Sequence, residues 1–268
     1  IDEKNIFPTI GVNLDYLKVK YNTLINSDIE IREFTLIANN KQYSAFLFFL
    51  DGMVDSKTVN DFVLKPLMLR NQANTFENDV AKVAITNNIT VRKKKPFDLT
   101  TYILNSLMPQ NSVKKISSFS DIISDVNSGN CALFIDTLNI AFSIEVKGFK
   151  ARSISTPNNE TVVRGSQEAF VEVIRTNTSM LRRIINNENL IIENSTVGSI
   201  SKTKIAICYM KNIASDDLVA EVKYRINNLD IDYLISSGQL EQLIQDNASI
   251  VFPEMIATER PDKASNHL

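Results

Sequence analysis

With 268 residues and 44% apolar side chains, the chain can bury a substantial core, arranged as one large domain or two small ones. Its net charge of −2, from 29 basic and 31 acidic residues, excludes the broad positive field that collects nucleic acid and the acidic excess that collects cations. Two cysteines far apart in apolar runs, Cys131 and Cys208, and a single histidine, His267, placed in an expected terminal tail, exclude a disulfide framework or a zinc site. The cysteines read as buried, reduced thiols, and neither a metal nor a cofactor is expected.

In chain order, Leu14, Leu17, Tyr21 and Leu24 have helical spacing, and Ile29 to Leu36 reads as a strand. Ala45-Phe46-Leu47-Phe48-Phe49-Leu50 is apolar at alternate and intervening positions, the pattern of a strand covered on both faces in a sheet flanked by helices. Asp51-Gly52 makes a turn and Asp55 suits an N-cap, with Val59, Phe62 and Val63 forming the buried face of the helix that follows. Asn71 to Thr90, rich in Asn and Thr, predicts a mobile loop that ends in the basic run Arg92-Lys93-Lys94-Lys95. Phe119, Ile122, Ile123 and Val126 predict another helix, Ser128-Gly129-Asn130 a turn, and Cys131 to Ile135 and Ile140 to Val146 a pair of strands. Gly148 to Arg164 then has linker composition, polar and containing Pro157.

Beyond it, a helix is predicted over 168–185, capped by Ser166, with Phe170, Ile174, Leu181 and Ile184 on one face and Asn177 in the same stripe. A buried amide must be hydrogen-bonded, so Asn177 either ties this helix to a backbone in the core or contacts a ligand or the other subdomain. Arg182 and Arg183 fall in the last helical turn, where positive charge suits the dipole. Asn189 to Thr196 and Ile205 to Met210 read as strands. Ser215 follows as an N-cap, with Asp216 and Asp217 in the first turn of a helix bearing Leu218, Val219, Val222, Ile226 and Leu229. A helix through Leu240, Leu243 and Ile244 and a short apolar run, Ser249 to Phe252, complete the pattern.

Shifted by 160 positions the chain matches itself without a gap from Ala45–Leu50 to Ile205–Met210, and the flanking patterns agree, giving two copies of a helix, strand, strand, helix unit. The expected fold class is therefore α/β, with two small subdomains that are distant structural repeats of each other, each a mixed sheet with flanking helices. The expected limits are 1–150, a linker at 151–165, and 166–268. The longest apolar runs are strand-sized, well short of the roughly 20 residues a spanning helix needs. A first residue of Ile1 and the lack of a leader suggest a piece of a longer polypeptide.

Nothing here points to catalysis. Only 7 glycines occur, with no phosphate-cradling loop and no nucleophile signature, and Asp51, Asp55, Asp230 and Asp232 fit turns and caps.

One set of residues carries a family resemblance. Arg164-Gly165-Ser166, Glu168, Phe170, Glu172, Asn177, Arg182 and Arg183, then Gly198, Thr203, Tyr209, Arg225 and Asp232, lead to Thr258-Glu259-Arg260-Pro261-Asp262. With looser matches at Phe49 to Asp55 and Asn127-Ser128-Gly129, this pattern resembles the A subunit of spore-germination nutrient receptors, the GerA family. Ser166 replaces a proline of that pattern. The resemblance implies the cytoplasm-facing soluble region of a germinant-receptor A subunit in the spore inner membrane, cut before its membrane helices and active in signal transduction and receptor assembly. It also implies receptor B and C subunits as partners and is compatible with a homo-oligomer of the full-length subunit. On such a subunit, Arg92 to Lys95 is a candidate contact for anionic lipid, and Thr258 to Asp262 for coupling to the membrane part. The alternative is a nutrient-binding module with its ligand in a cleft between subdomains.

Overall fold

Two groups of elements emerge in the residues that the computed structural model describes: 5–69, 97–110, 112–148, 166, 168–246 and 255–268. The first unit comprises Ile1–Leu17 and Ile29–Phe149, and the second Lys18–Asp28 and Lys150–Leu268. Residues 18–28, read from sequence as part of the first subdomain, thus group with the second. The expected linker at 151–165, the loop and basic run at 71–95, the pair Arg164-Gly165 and the run at 249–252 lie outside the described residues.

In the first unit, α1 (Ile10–Lys20, its last turn already in the second unit) precedes a hairpin of β1 (Ile29–Ala38) and β2 (Lys41–Leu50). Asn39 and Asn40 make the connection at φ of 50° and 58°, the left-handed pair that a two-residue turn between twisted strands needs. Next comes α2, which runs as Ser56–Thr58, a π-helical Val59–Leu64 and Lys65–Leu69, and then α3, Leu99–Tyr102 continued by π-helical Ile103–Leu107. Asp55 caps α2 as expected, accepting from the Lys57 amide at 3.2 Å and the Thr58 hydroxyl at 2.6 Å. The unit is completed by β3 (Val113–Ile116), α4 (Phe119–Asn127), β4 (Cys131–Ile135) and β5 (Ala141–Ile144).

The five strands are ordered β1-β2-β4-β5-β3, and every pairing is antiparallel rather than mixed. The central strands still read as continuous apolar runs because both sheet faces are covered. Ala45, Leu47, Leu133 and Ile135 meet Val59, Val63 and Leu67 of α2 and Leu99, Ile103 and Leu107 of α3 on one face. On the other, the rings of Phe46 and Phe134 stack at 4.8 Å, and Phe134 lies 6.4 Å from Phe119 of α4, which in turn meets Tyr16 of α1 at 4.2 Å. Offset and tilted rings at such distances add to the gain from burial alone.

The second unit is built on a two-stranded antiparallel pair, β6 (Leu190–Val197) with β7 (Thr203–Met210). Helix α5 (Ile174–Ile184) and the C-terminal α8 (Pro261–His267) cover one face, where Leu181, Ala264 and Leu268 pack with Leu190, Ile192 and Cys208. The other face, bearing Val197, Ile205 and Ile207, packs against Val222 and Ile226 of α6 (Asp216–Asn227) and Leu240 and Ile244 of α7 (Ser237–Ile244). His267 therefore ends a packed helix instead of lying in a tail. Ser215 occupies the N-cap position of α6 but makes no side-chain capping bond, leaving Asp216 and Asp217 as the charges in the first turn.

Helix α5 is shorter than the expected 168–185. Residues 168–173 approach it in non-helical conformation, because the Phe170 amide donates to the Glu259 carbonyl at 2.7 Å and the backbone of Val171 is held by Asn177. Ser166 consequently caps no helix, and its hydroxyl accepts from the Glu168 amide at 3.4 Å.

Both units show the same order, α1-β1-β2-α2 and α5-β6-β7-α6. The strand match at 160 positions agrees with the ends of β2 and β7 at Leu50 and Met210. The helices match at 164: α1 starts at Ile10 and α5 at Ile174. A longer connection between helix and strand in the first copy absorbs the difference.

Candidate functional site

The densest polar constellation among the described residues of the second unit is centred on Arg182. Helix α5 turns this side chain inward, leaving it 2% exposed, and Asp28 opposite it is equally buried. The guanidinium donates through Nε to Asp28 Oδ2 at 2.7 Å and through NH2 to Asp28 Oδ1 at 2.9 Å, the bidentate geometry that suits arginine and carboxylate. It also donates to Asn26 Oδ1 at 3.1 Å and to the Asn187 carbonyl at 3.2 Å. Arg182 does lie in the last turn of α5, where its charge suits the dipole, but it is also buried and paired. The helix dipole is a weak local preference, whereas a buried guanidinium must be paired, and the two sides of this pair lie 154 positions apart in the chain.

Around the pair, residues 18–28 form a strap along the outer edge of β6. Asn26 donates to the carbonyls of Tyr21 (3.1 Å) and Leu190 (3.3 Å), while its Oδ1 accepts the Ile192 amide at 3.0 Å. The Ser27 amide donates to the Ile192 carbonyl at 2.8 Å, and the Ser27 hydroxyl accepts the Asn194 amide at 3.0 Å. A side-chain amide and a hydroxyl thereby stand in for a neighbouring strand. Lys211 donates to Asn22, and Lys20 pairs with Glu188 at 3.4 Å. Burial, helped by the nearby Glu188 carboxylate, holds the Tyr21 hydroxyl far above its usual range, so the ring stays neutral.

The other sequence-derived candidates fall into local partnerships. Asn177 is a backbone tie: its Nδ2 donates to the Val171 carbonyl at 2.6 Å and its Oδ1 accepts the Val171 amide at 2.7 Å. Arg183, at the surface, pairs with Glu168, while Glu172 is exposed and Phe170 packs against the Leu181 cluster. Arg225 reaches Glu221 at 2.7 Å, Asp246 and the Ile244 carbonyl at 2.8 Å, fastening α6 to the end of α7. Asp232 accepts from the Ser199 hydroxyl at 2.6 Å and through its carbonyl from the amides of Ile200 and Ser201.

Thr258 to Asp262 form the entry to α8. Thr258 Oγ1 accepts the Arg260 amide at 3.2 Å, Arg260 donates to Asp262 at 2.6 and 3.2 Å, and Pro261 opens the helix, where a missing N–H is harmless. The Arg260 bond first, and its charge besides, hold the Asp262 carboxyl below its usual range.

Two open concavities flank α5, of about 550 Å3 on the β6 side and about 900 Å3 on the β7 side, with Ile174, Thr178 and Lys204 bordering both. Asn177 and Thr178 already have partners there, Thr178 donating to the Arg175 carbonyl at 3.0 Å. Desolvation pushes the Cys208 thiol in the larger concavity up to about 12, and burial pushes Cys131 higher still, so both thiols stay protonated. Among the described residues no three of His, Cys, Asp and Glu stand close enough to hold a metal ion.

Sequence reasoning did not find Asn26 or Asp28, and it placed Tyr21 and Leu24 on the face of a helix that ends at Lys20, leaving Tyr21 buried beyond it and Leu24 exposed. Asn26-Ser27-Asp28 has the composition of an ordinary turn between helix and strand, and nothing local marks its partner as Arg182.

The profile of the Bacillus/Clostridium GerA spore germination protein family matches residues 15–268. Spore germination protein KA of Bacillus subtilis strain 168 is 31% identical over 263 residues, 98% of this chain and 44% of that protein. Spore germination protein B1 of the same strain is 32% identical over 256 residues, 96% of this chain and 48% of that protein. The chain spans about half the length of these curated relatives. Among solved structures, the N-terminal domain of the A subunit of the Bacillus megaterium spore germinant receptor GerK3 superposes with a TM-score of 0.64 at 28% identity, covering 98% of this chain and 89% of that one.

Proposed function

The chain belongs to the GerA family of Bacillus/Clostridium spore germination proteins, and from that premise we propose that it is the cytoplasm-facing N-terminal region of a germinant-receptor A subunit. In this reading the full-length protein resides in the spore inner membrane, and the region takes part in signal transduction and receptor assembly with receptor B and C subunits. Self-association of the full-length subunit is part of the same proposal. The observation that carries it is the match to the N-terminal domain of the GerK3 A subunit, which extends through both units. No described helix is long and apolar enough to cross a membrane.

The work of such a region is conformational, not catalytic. Arg182, Asn177, Arg225 and Asp232 are engaged with the chain itself, which suits them to holding a shape. Thr258 to Asp262 suit a coupling joint: the Glu259 carbonyl takes the Phe170 amide on the approach to α5, and Pro261 starts the helix that packs on α5. A displacement of this motif therefore reaches α5 without an intervening loop.

The test is genetic. Spores lacking the full-length gene are compared with spores restored with the wild-type gene or one carrying Arg260→Ala and Asp262→Ala, each exposed to a panel of amino acids, nucleosides and sugars. The expected result is loss of the response to at least one nutrient, with intact germination by non-nutrient triggers. Unchanged responses in the deletion strain to every nutrient would overturn the proposal. Calorimetric titration of the chain with the same panel separates the roles: silence at millimolar ligand supports coupling, and saturable binding moves nutrient recognition into this region.

A further inference from the structure

We infer that the strap, residues 18–28, is a latch keyed by Arg182 that docks on and leaves the edge of β6 as one cooperative piece, while the rest of each unit stays folded. Adhesion of the strap rests on directional bonds more than on apolar burial. Tyr21 is fully buried, but Leu24 is 100% exposed and Val19 78%. The bonds converge: Asn26 serves Arg182, Leu190 and Ile192 together, and Asp28 satisfies two guanidinium donors. Removing one member leaves buried polar groups of the others short of a partner, which penalises half-docked states and favours two, fully docked or fully released.

Chain connectivity gives the latch a consequence. The eleven residues of the strap run directly into Ile29 of β1 at one end and continue from Leu17 of α1 at the other, both in the first unit. Docked, residues 21–28 are held along β6; released, these eight residues beyond the end of α1 reach up to about 29 Å when extended. The latch thus sets how much free chain lies between the end of α1 and the start of β1. Its existence stands on the bonding just described, and only its effect on germination rests on the receptor reading above.

Hydrogen–deuterium exchange of the 268-residue chain, wild type against Arg182→Met, tests it. The amides of Ser27, Ile192 and Asn194, all bonded across the strap, are expected to share one opening rate in the wild type. In the variant that rate rises on the order of 100-fold, while amides of β2 and β4 change by less than about threefold. Unequal protection of the three amides, an unchanged rate, or equal acceleration in β2 and β4 overturns the latch. A second variant leaves Arg182 in place: Ser27→Cys with Asn194→Cys, at two exposed positions joined by a 3.0 Å hydrogen bond, locks the strap by a disulfide. Oxidation is expected to slow exchange of Ile192 and reduction to restore it, and no difference between the two forms overturns the inference. In spores, a locked latch with normal germination overturns its role in the response and leaves the latch itself standing.

Discussion

Asn13 and Asn177 make the same closed pair of hydrogen bonds in the two units. Each is the fourth residue of its helix, and each clasps the backbone of the residue six positions earlier. Asn13 donates to the Phe7 carbonyl at 2.7 Å and accepts the Phe7 amide at 2.9 Å, while Asn177 holds Val171 at 2.6 and 2.7 Å. A carboxamide is the side chain of this length that donates and accepts side by side without charge. The clasp fixes how the chain enters α1 and α5, and its recurrence at matched positions is the firmest sign that the units are repeats.

Replacing either asparagine by aspartate removes the donor and leaves a backbone carbonyl unpaired. Each substitution is expected to destabilise its own unit by about 1–3 kcal/mol. Urea unfolding followed by probes in each unit should show Asn13→Asp lowering the first transition and Asn177→Asp the second, with additive effects in the double variant. Wild-type stability of both single variants would show that the clasps contribute nothing.

Much of this was legible in the sequence, and the limits have physical causes. Cys131 to Ile135 and Ala45 to Leu50 announce themselves because burial on both faces leaves no polar position within them. The bland reading of Asn177 as a backbone tie matches its bonds. By contrast, β3 was not found, since Val113-Lys114-Lys115-Ile116 is an edge strand of four residues with both lysines exposed. Helix α3 follows residues whose composition reads as loop, and its π-helical turn breaks the helical period. The place of Arg182 in the last helical turn was legible, but its burial and its partner were not, because only tertiary contact with a segment 154 residues earlier sets them.

The Arg182–Asp28 pair leads to a double-mutant prediction. Asp28→Ala or Arg182→Ala alone strands a buried charge and should destabilise the second unit by about 3–5 kcal/mol. Arg182→Met combined with Asp28→Leu removes both charges and keeps most of the volume, so it should be more stable than either single variant. Denaturant unfolding of the four proteins decides it, and a combined variant as unstable as the sum of the singles would sink the account.

Glycines at two kinds of position should respond in opposite senses. A Cβ at Gly148 would stand 2.3 Å from Asp55 Cβ and 2.4 Å from the Asp55 backbone nitrogen, where residues 53–55 and 146–148 are tied by Val54 and Lys147 and by the Asp55 amide to the Val146 carbonyl at 2.8 Å. Gly148→Ala must push these segments apart and should destabilise the first unit by about 1–3 kcal/mol. At Gly11 and Gly238, in helices α1 and α7, nothing lies within 4 Å of an added Cβ. Alanine there should stabilise by about 0.5–1 kcal/mol through helix propensity. Thermal unfolding of the three variants gives both signs in one experiment.

Two helix starts of the first unit, at Asp55 and Asp98, should contribute to acid sensitivity. The Thr58 hydroxyl is the main influence holding the Asp55 carboxyl below its ordinary 3.8, against partial desolvation and with help from the Lys57 and Thr58 amides. Thr101 does the same for Asp98 at the start of α3, through a 2.5 Å bond. Both folded-state values lie below the unfolded ones, so each carboxylate's contribution is complete above about pH 4 and is lost as pH falls through the folded value. Nothing from these two groups changes on the alkaline side. Thr58→Val and Thr101→Val remove the strongest hydrogen bond to each carboxylate and should bring its titration back toward 3.8. Carbon-detected NMR of the aspartate carboxyls reads this directly, and the acid limb of the stability curve should become shallower in the double variant. Titrations of Asp55 and Asp98 that stay where they were after loss of the hydroxyls would assign the shifts to the backbone amides instead.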